Sequence, residues 1–395
     1  MTDILTSQQC DMLYLTACAL NGQKPDVQRA STMDLSSIYR IAKRHSMTAI
    51  IYMSLDSTNA LDYNSTTVKL WREDKEKAIR KSLLLDAELS GLSLLLQKNK
   101  IWYMPLKGSI LKHFYPKLGM REMSDCDILF DSQYRNNVCE LMQGMGYRRD
   151  SHGRCHDVYF KPPVCNFEMH ISLFGSTHQK RFADYYADVE QRLSRDKDNP
   201  FLMHFSDEDF YIYLIAHAGK HYENAGTGIR TLMDVFVYNR AKGSGLDREY
   251  IRSELSKLEL DGLEADLFKL SDKLFGSPTN IFEKTFDENE EKQLSFILGS
   301  GTHGTAENAV ESRFSKLDNA SESNAGKMKR SYYLSRLFPD MQWYKVHYPF
   351  CYRHKWSIPF NFIYRVFHAL FFKRKKLKNE IKAVDNVLAE KADKN

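Results

Sequence analysis

The sequence predicts an α+β fold, in which a short mixed sheet with its own helices is flanked by helical regions at both ends of the chain. Three observations predict this fold. Apolar residues recur at helical spacing over residues 7–99, short runs over residues 101–173 alternate every second residue as strands do, and helical spacing returns after residue 207. With 395 residues, 43% of them hydrophobic, the chain can build two or three domains.

Changes in pattern divide the chain into five segments. We predict a helical N-terminal domain, a core of strands and helices, a second helical domain, a flexible polar linker and a basic, aromatic C-terminal tail, at residues 1–99, 100–175, 176–298, 299–328 and 329–395. The linker is predicted because its residues are mainly Ser, Asn, Gly, Thr and Ala, with few large apolar side chains to bury.

Within the core segment, strands and helices follow one another in a fixed order. The predicted elements are a strand at 101–104, a turn at Gly108 and Ser109, a helix at 110–114, a strand at 123–130, a helix at 134–144, and strands at 158–160 and 164–173. This order places two polar strand faces on either side of a helix.

Acidic side chains share a face on two of these strands. Because side chains alternate along a strand, Asp125 and Asp127 point to one side of the second strand, and Glu168 and His170 point to one side of the last. Two adjacent carboxylates repel each other unless a cation lies between them, and Mg²⁺ prefers carboxylate oxygens. We therefore expect Asp125, Asp127 and Glu168 to meet in the sheet and to hold Mg²⁺ or Mn²⁺.

The turn after the first strand is the predicted phosphate site. Gly108 allows a ligand to approach the backbone closely, and the start of the helix presents N–H groups together with the Ser109 hydroxyl. Lys107 adds a positive charge beside them. Arg121, just before the strand that carries the aspartates, is expected either to neutralise phosphate charge or to be an exposed arginine in a salt bridge.

These motifs, in this order, resemble the uncharacterised nucleotidyltransferase family of bacterial and archaeal genomes, within the polymerase-beta-like superfamily. The resemblance is carried by Pro105 to Ser109, Tyr115-Pro116, Gly119 to Leu129 and Phe167 to His170, continues in His217, His221, Arg230 and Asp234, and extends to Pro349-Phe350 and Ile358-Pro359 in the tail. It implies a polymerase-beta-like nucleotidyltransferase core between the helical regions.

The resemblance also implies an activity, the transfer of an NMP unit from an NTP to a hydroxyl or phosphate acceptor. Asp125 and Asp127 would bind the metal, Glu168 would be the third carboxylate and the base for the incoming hydroxyl, and Gly108 with Ser109 would hold the triphosphate. Much of the superfamily has Asp as the third carboxylate, so Glu168 departs from the pattern by one methylene. The family does not specify the acceptor, which is a small molecule, a saccharide, RNA or protein.

Two other functions stay open at this point. In the first, the core binds nucleotide without catalysis and serves as an interaction module. In the second, the protein is a membrane-peripheral factor in surface-polysaccharide synthesis. The second alternative depends on the C-terminal tail.

The tail carries the strongest local charge asymmetry of the chain. Between Met341 and Asn379 the sequence has nine Lys or Arg and no Asp or Glu. Its segment 358–378 mixes Phe and Leu with Arg365 and the basic cluster 373–376. We expect this segment to lie on an anionic membrane surface or to dock on the catalytic core with its basic end in water, and the sequence favours docking.

Polar residues of the second helical domain allow two interpretations. His217, His221 and Asp234 have a spacing that suits zinc. With Arg230, however, they are predicted to form a polar network that ties the helical domain to the core or contacts the nucleotide, because buried polar groups need partners.

Histidines of the core segment are also candidates. His152, Cys155 and His156 are close in the chain, but no second Cys or His pair completes a zinc site with them. His170 is expected either to orient Glu168 or to pack against the sheet.

Composition and cysteine usage indicate a cytoplasmic protein, with membrane-peripheral location as the alternative. The seven cysteines are scattered without a C-x-x-C pair, no signal peptide precedes them, and no apolar stretch is long enough to span a membrane. The net charge of +5 is small against 56 basic and 51 acidic residues, so it does not by itself imply nucleic-acid binding.

Overall fold

Helices make up most of the structure. A computed structural model describes residues 5–175, 180–278, 284–302, 304–317 and 325–393 of the chain. The helices in these residues are α1 (Ser7–Leu20), α2 (Val27–Thr32), α3 (Leu35–Arg44), α4 (Thr48–Asp56), α5 (Thr66–Lys98), α6 (Gly108–Leu111), α7 (Arg135–Gly144), α8 (Lys180–Tyr185), α9 (Asp207–Tyr222), α10 (Ile229–Lys242), α11 (Arg248–Lys257), α12 (Asp261–Phe275), α13 (Glu288–Ser300), α14 (Ala306–Leu317), α15 (Ala325–Leu337), α16 (Met341–His347), α17 (Pro349–Arg353), α18 (Ile358–Phe372) and α19 (Arg374–Asp393). Side chains fix several of their starts. Thr6, Asp34 and Asp247 each accept a hydrogen bond from a first-turn N–H, at α1, α3 and α11.

A mixed sheet lies among these helices. The strands are β1 (Tyr103–Pro105), β2 (Cys126–Phe130), β3 (Arg148–His152), β4 (His156–Lys161), β5 (Cys165–His170), β6 (Ser194–Arg195) and β7 (Met203–His204). The first five form one sheet in the order β1-β2-β5-β4-β3, in which β2 and β5 are parallel and the other pairs are antiparallel. Strands β6 and β7 form a separate two-stranded sheet. The small mixed sheet within a helical chain confirms the predicted α+β fold.

The strands differ in detail from the prediction: β4 and β5 have other bounds, β6 and β7 are not predicted, and three further differences have a physical reason. Strand β3 is not predicted, because all its residues are exposed and its sequence has no apolar alternation. Strand β1 includes Pro105, which is tolerated because β1 lies at the edge of the sheet. Strand β2 begins at Cys126 rather than at residue 123, so Asp125 lies immediately before it.

The long helix α5 covers one face of the sheet. Leu85 and Leu92 of this helix form one buried cluster with Ile128 of β2 and Phe167 of β5. Burial of each such side chain contributes about 1.5–3 kcal/mol. Because side chains alternate along a strand, the opposite face of β2 and β5 carries the acidic residues.

The stretch 299–328, predicted as a flexible linker, is largely helical where the structure describes it. It contains α14 and the start of α15, while residues 318–324 lie outside the described residues. Val310 and Phe314, four residues apart on α14, are each 1% exposed. The linker prediction is wrong for the helical residues, because a few well-spaced apolar side chains are enough to anchor a helix of otherwise polar composition.

The chain divides into two compact units, which here are called the first and the second unit. The first comprises Met1–Gly219 with Ile229–Ser295, and the second comprises Lys220–Gly228 with Phe296–Asn395. The sheet lies in the first unit. The second has its own buried cluster, which joins α14 and α15 to α19. Among the described residues, every helix is too short or too polar to cross a lipid bilayer.

Candidate active site

Two of the predicted acidic residues lie side by side in the sheet. Asp127 of β2 and Glu168 of β5 are partners in the register of the parallel pair. Paired residues of neighbouring strands point to the same face, so the two carboxylates share the face opposite α5. Asp127 is buried, whereas the Glu168 side chain is 25% exposed. The site therefore has a buried acidic floor and one acidic group that solvent can reach.

Each oxygen of the Asp127 carboxylate has a basic partner. His170 Nε2 lies 2.8 Å from Oδ1, and Lys107 Nζ lies 3.4 Å from Oδ2. The same His170 nitrogen is 3.6 Å from Glu168 Oε2. His170 thus contacts both carboxylates, and the structure favours its predicted role in orienting Glu168 over simple packing against the sheet.

These contacts shift the protonation of the site. Burial opposes ionisation of Asp127, but the Lys107 ammonium and His170 hold its pKa well below the ordinary value. The nearby His170 lowers the pKa of Glu168. Burial disfavours the His170 imidazolium, yet its hydrogen bond with Asp127 and its proximity to Glu168 raise its pKa above the ordinary value. The neighbouring basic groups therefore favour the ionised forms of Asp127 and Glu168.

Asp125 is the carboxylate with the least compensation. Burial raises its pKa, and the negative charges of Asp127 and Glu168 raise it further, against the opposing effect of Lys107. A group whose charged form is disfavoured by neighbouring carboxylates fits a divalent cation, which would relieve that repulsion. The oxygen donors of the three acids are those that Mg²⁺ and Mn²⁺ accept.

A second imidazole, which the sequence analysis did not assign to the site, lies beside Glu168. His156 of β4 is the register partner of His170, and its Nε2 lies 3.7 Å from Glu168 Oε2. Ligand atoms of His156, Glu168 and His170 all lie within 4.8 Å of one another, which within the described part of the chain is the one such group of three or more. Asp125 and Asp127 therefore do not meet this distance criterion with Glu168.

Two further residues near the carboxylates were not predicted. Lys81 of α5 donates to the Ser124 carbonyl oxygen at 2.6 Å, and the charge of Asp125 acts on its ammonium. Tyr213 of α9 is fully buried within the fields of Lys107 and Asp127. Both lie on helices remote in sequence from the strands, so no local pattern could have identified them.

The predicted phosphate turn has an unusual backbone. Lys107 adopts φ 39° and ψ −107°, a sparsely populated conformation that costs a residue other than glycine about 1–3 kcal/mol. This conformation directs its ammonium to Asp127. Ser109 points elsewhere, because its hydroxyl lies 3.2 Å from the buried Cys126 thiol and its N–H donates to the Leu106 carbonyl. Its predicted contact with phosphate is not supported by this orientation and stays a prediction.

Gly108 has no room for a side chain. A Cβ added there would lie 2.5 Å from Nη1 of Arg121 and 2.8 Å from Cε of Met123. The turn is therefore packed directly under the arginine, and this contact by itself requires glycine.

The Arg121 side chain is only 9% exposed, so the alternative of an exposed salt bridge is wrong. Its Nε and Nη2 donate to the two oxygens of Asp234 at 2.8 and 2.9 Å, and Tyr115 donates to the same carboxylate at 2.7 Å. The Arg121 and Asp234 side chains are 9% and 7% exposed. Two of the three guanidinium nitrogens are thus committed to α10, which fixes the segment before Asp125.

The next residue ties this segment to other helices. Glu122 Oε1 accepts from the Thr48 hydroxyl at 2.7 Å and from the Ala49 N–H at 3.0 Å, at the start of α4. Arg230 of α10 donates to the Glu122 carbonyl at 3.1 Å. The segment that leads into β2 is therefore held by helices from both sides of the core in sequence.

The zinc alternatives find no support in the described residues. Asp234 is engaged by Arg121 and Tyr115, and no metal-binding group brings it together with His217 and His221 of α9. His152 pairs with Asp157, Nδ1 to Oδ1 at 2.9 Å, and does not group with Cys155. Of His152, Cys155 and His156, only His156 lies at the candidate site, because the pairing of β4 with β5 brings it close to Glu168.

Comparison with known proteins assigns the chain to a family. A family model described as an uncharacterised nucleotidyltransferase matches residues 31–276, which include both sheets and all of α3 to α12. No curated protein and no solved structure matches the chain. The match extends over more than half of the sequence and contains the acidic pair, the turn and the Arg121–Asp234 pair. The chain therefore belongs to the uncharacterised nucleotidyltransferase family.

Proposed function

We propose that the protein is a metal-dependent nucleotidyltransferase that moves an NMP unit from an NTP to a hydroxyl or phosphate acceptor. The observation that carries this proposal is the register of Asp127 and Glu168 on parallel strands, beside the Lys107 ammonium and close enough to Asp125 to raise its pKa. Family membership supports nucleotidyl transfer in general. The metal, the NTP and the acceptor are the content of the proposal.

In this reaction an acceptor oxygen attacks the α-phosphorus of the NTP, and the bond to the bridging oxygen of the departing pyrophosphate breaks. Glu168, whose side chain is 25% exposed, accepts the proton of an incoming hydroxyl. The neighbouring His170 lowers the pKa of Glu168 and so favours the ionised form that this task needs. The Lys107 ammonium faces the phosphates, and the turn approaches them through the backbone of Gly108, since the Ser109 hydroxyl is directed to Cys126.

Asp125, Asp127 and Glu168 would hold the divalent cation. When bound, such a cation neutralises triphosphate charge and aligns the attacking and leaving oxygens. The imidazoles of His156 and His170 beside Glu168 supply nitrogen donors, which Mn²⁺ accepts more readily than Mg²⁺ does. We therefore expect Mn²⁺ to support activity at least as well as Mg²⁺.

The test uses full-length protein and NTPs labelled at the α-phosphate. With Mg²⁺ or Mn²⁺ we expect thermal stabilisation by NTP and transfer of label to the protein or to an added hydroxyl or phosphate acceptor. The double variant Asp125→Ala with Asp127→Ala should lose NTP affinity at least about tenfold. Asp150→Ala is the matched control, because this aspartate is on β3 of the same sheet and its side chain is 61% exposed.

The outcomes separate three interpretations. Absence of NTP binding by wild type, or equal binding by the double variant, would overturn the proposal. Binding that depends on the two aspartates, without turnover in a broad acceptor screen, would identify the alternative function of a nucleotide-binding module. Transfer that depends on them would establish the enzyme.

We also propose that the second unit contacts an anionic membrane surface through α18. Phe360, Ile363, Tyr364, Phe367, Leu370 and Phe371 recur at intervals of three and four residues and form what is called here the α18 stripe, with exposures between 50% and 71%. Apolar patches of this kind mark interaction surfaces. Lipid is the favoured occupant because no acidic residue occurs between Met341 and Asn379.

The opposite side of α18 is packed within its own unit. Phe362 stacks on Phe338 with ring centroids 5.2 Å apart, and Arg365 donates to the Arg336 carbonyl at 2.7 Å. The guanidinium of Arg365 also lies 4.4 Å from the ring centre of Trp343. These contacts hold the helix so that the stripe points outward. Of the predicted basic cluster, the side chains of residues 375 and 376 lie outside the described residues.

Vesicle flotation tests the contact. We expect full-length protein to float with vesicles that contain phosphatidylglycerol, and Phe367→Ser with Phe371→Ser to lose binding at least about tenfold, because each exposed aromatic contributes more than 1 kcal/mol on burial. Leu94→Ser is the control, an apolar residue of α5 that is 68% exposed. Protein that stays in the soluble fraction in every case would favour docking on the catalytic core, the interpretation that the sequence favoured.

A further inference from the structure

A cavity in the second unit has the composition of an anion site. It has a volume of about 750 Å³ and lies among α14, α15 and the junction of α18 with α19. Its wall includes three cationic side chains, Arg313, Arg336 and Lys373, and one acid, Glu380. The cavity therefore has an excess of positive charge.

The acid in the cavity is already neutralised. Glu380 accepts two hydrogen bonds from Arg336, at 2.7 Å to Oε1 and 3.0 Å to Oε2, and a third from the Tyr332 hydroxyl at 2.7 Å. This bidentate pair uses both carboxylate oxygens. Among the described residues, Glu380 makes no hydrogen bond with Arg313 or Lys373, although its charge acts on the Arg313 guanidinium.

Arg313 and Lys373 are the cations that remain. Neither side chain has a hydrogen bond or an ion pair with any described residue. Burial opposes the charge of Arg313 and lowers its pKa. The neighbouring charge of Arg336 lowers it further, and the charge of Glu380 only partly offsets these effects. A partly buried guanidinium without an acceptor is costly, and an anionic ligand would remove that cost.

The position of the cavity identifies the source of the anion. Phe372 and Lys373 line it and directly follow the last residues of the α18 stripe. Lys373 also precedes α19, a helix of 20 residues whose N-terminus carries partial positive charge. A single lipid molecule could therefore place its phosphate in this cavity and its acyl chains along the stripe.

We propose that this cavity binds the phosphate of an anionic lipid headgroup, with Arg313 and Lys373 as its cationic ligands. The inference rests on the membrane contact proposed for the α18 stripe and is independent of nucleotidyl transfer. The stripe supplies apolar contact with any bilayer, whereas the cavity supplies preference for a phosphate that carries net negative charge. An arginine suits this role because its planar N–H groups bind two phosphate oxygens at once.

The experiment compares vesicle binding by full-length protein and its variants. Vesicles contain phosphatidylcholine alone, or phosphatidylcholine mixed with phosphatidylglycerol or with phosphatidic acid, and inorganic phosphate and glycerol 3-phosphate are added as soluble competitors. We expect wild type to prefer the anionic vesicles. Arg313→Gln should lower binding to them at least about tenfold while leaving binding to phosphatidylcholine unchanged, since it removes charge-assisted hydrogen bonds to the phosphate. Arg313→Lys should retain part of the preference.

Two controls keep the result interpretable. Arg330→Gln removes an exposed arginine of α15 that is not part of the cavity wall and should change binding less than about threefold. Circular dichroism and thermal unfolding establish that Arg313→Gln is folded. Hydrogen exchange should show that anionic vesicles protect α14 in wild type but not in Arg313→Gln.

The results distinguish failure of the headgroup site from failure of the membrane contact on which it rests. Flotation without preference for anionic lipid, or a preference that survives in Arg313→Gln, would overturn the headgroup site and leave the membrane contact intact. No flotation of wild type with any vesicle would overturn both. If the protein bound inorganic phosphate as tightly as it binds anionic vesicles, the cavity would be a site for soluble phosphate. That result would overturn the lipid assignment.

Discussion

Replacement of Arg121 by alanine should destabilise the first unit and disturb the segment that carries Asp125. The arginine forms two parallel hydrogen bonds with Asp234, at 2.8 and 2.9 Å. The Arg121 and Asp234 side chains are 9% and 7% exposed, so solvent screens the charges of this pair little. Arg121→Ala would leave the Asp234 carboxylate buried without a cation.

The expected loss follows from that geometry. Removal of one partner of a buried ion pair costs about 3–5 kcal/mol in the free energy of unfolding. We expect a value near the lower end, about 3 kcal/mol, because the Tyr115 hydroxyl would still donate to Asp234. The same change removes the guanidinium that lies over Gly108, so NTP affinity should fall with stability.

Urea unfolding followed by tryptophan fluorescence measures the loss. The chain has four tryptophans, two of which lie in the first unit. In a background of Trp343→Phe with Trp356→Phe, the remaining Trp71 and Trp102 report on that unit alone. Lys180→Ala is the control, since its pair with Asp184 is at the surface and should contribute less than about 0.5 kcal/mol.

A paired substitution checks the cause. Arg121→Met with Asp234→Leu replaces both charges by apolar groups and should be less destabilised than Arg121→Ala, because no buried charge is left alone. A loss below about 1 kcal/mol for Arg121→Ala, or a double variant as unstable as the single one, would refute the reasoning.

Three further predictions concern individual groups. Asp127→Asn should lower nucleotidyl transfer more than about a hundredfold and weaken Mn²⁺ binding, measured by electron paramagnetic resonance. The reason is that mutation even of a residue that only hydrogen-bonds a metal ligand lowers metal affinity or activity by about 10–100-fold. Gly108→Ala, whose added methyl would lie 2.5 Å from a guanidinium nitrogen, should cost about 1–3 kcal/mol in urea unfolding, whereas Gly262→Ala, with nothing within 4 Å, should stabilise slightly. Burial opposes ionisation of Asp74, but its hydrogen bond with Lys43 lowers its pKa, so its contribution to stability is complete above the unfolded value of about 3.9 and is lost as pH falls through the folded value. The urea midpoint of wild type should therefore fall more steeply below about pH 5 than that of Asp74→Asn; equal slopes would contradict this.

Local patterns predict the elements that bury one face. Strand β5 alternates apolar and polar residues along its whole length, and its burial alternates in the same way over most of it. Strand β3 could not be predicted, because an exposed edge strand has no apolar face to record in its sequence. Helix α14 was obscured by polar neighbours of Val310 and Phe314, since composition averages over positions that burial distinguishes.

The partners of the acidic residues needed the tertiary structure. Alternation alone predicts that Glu168 and His170 share a face, but only the parallel register shows Glu168 beside Asp127. His156 enters the site because β4 pairs with β5, a relation that no spacing within either strand contains.

By itself the sequence determined the residue types and their order: a glycine turn, two aspartates one residue apart, and a later acidic strand, together with a basic tail without acids. Those features can be identified from short stretches of the chain, because they depend only on the periodicity and the chemistry of neighbouring side chains. The tertiary structure alone decided which charges meet, that Arg121 is committed to Asp234 and that Arg313 has no acceptor within the described residues. Electrostatic pairing acts through space, over distances of a few ångströms between residues more than a hundred positions apart, and a linear pattern carries no record of it.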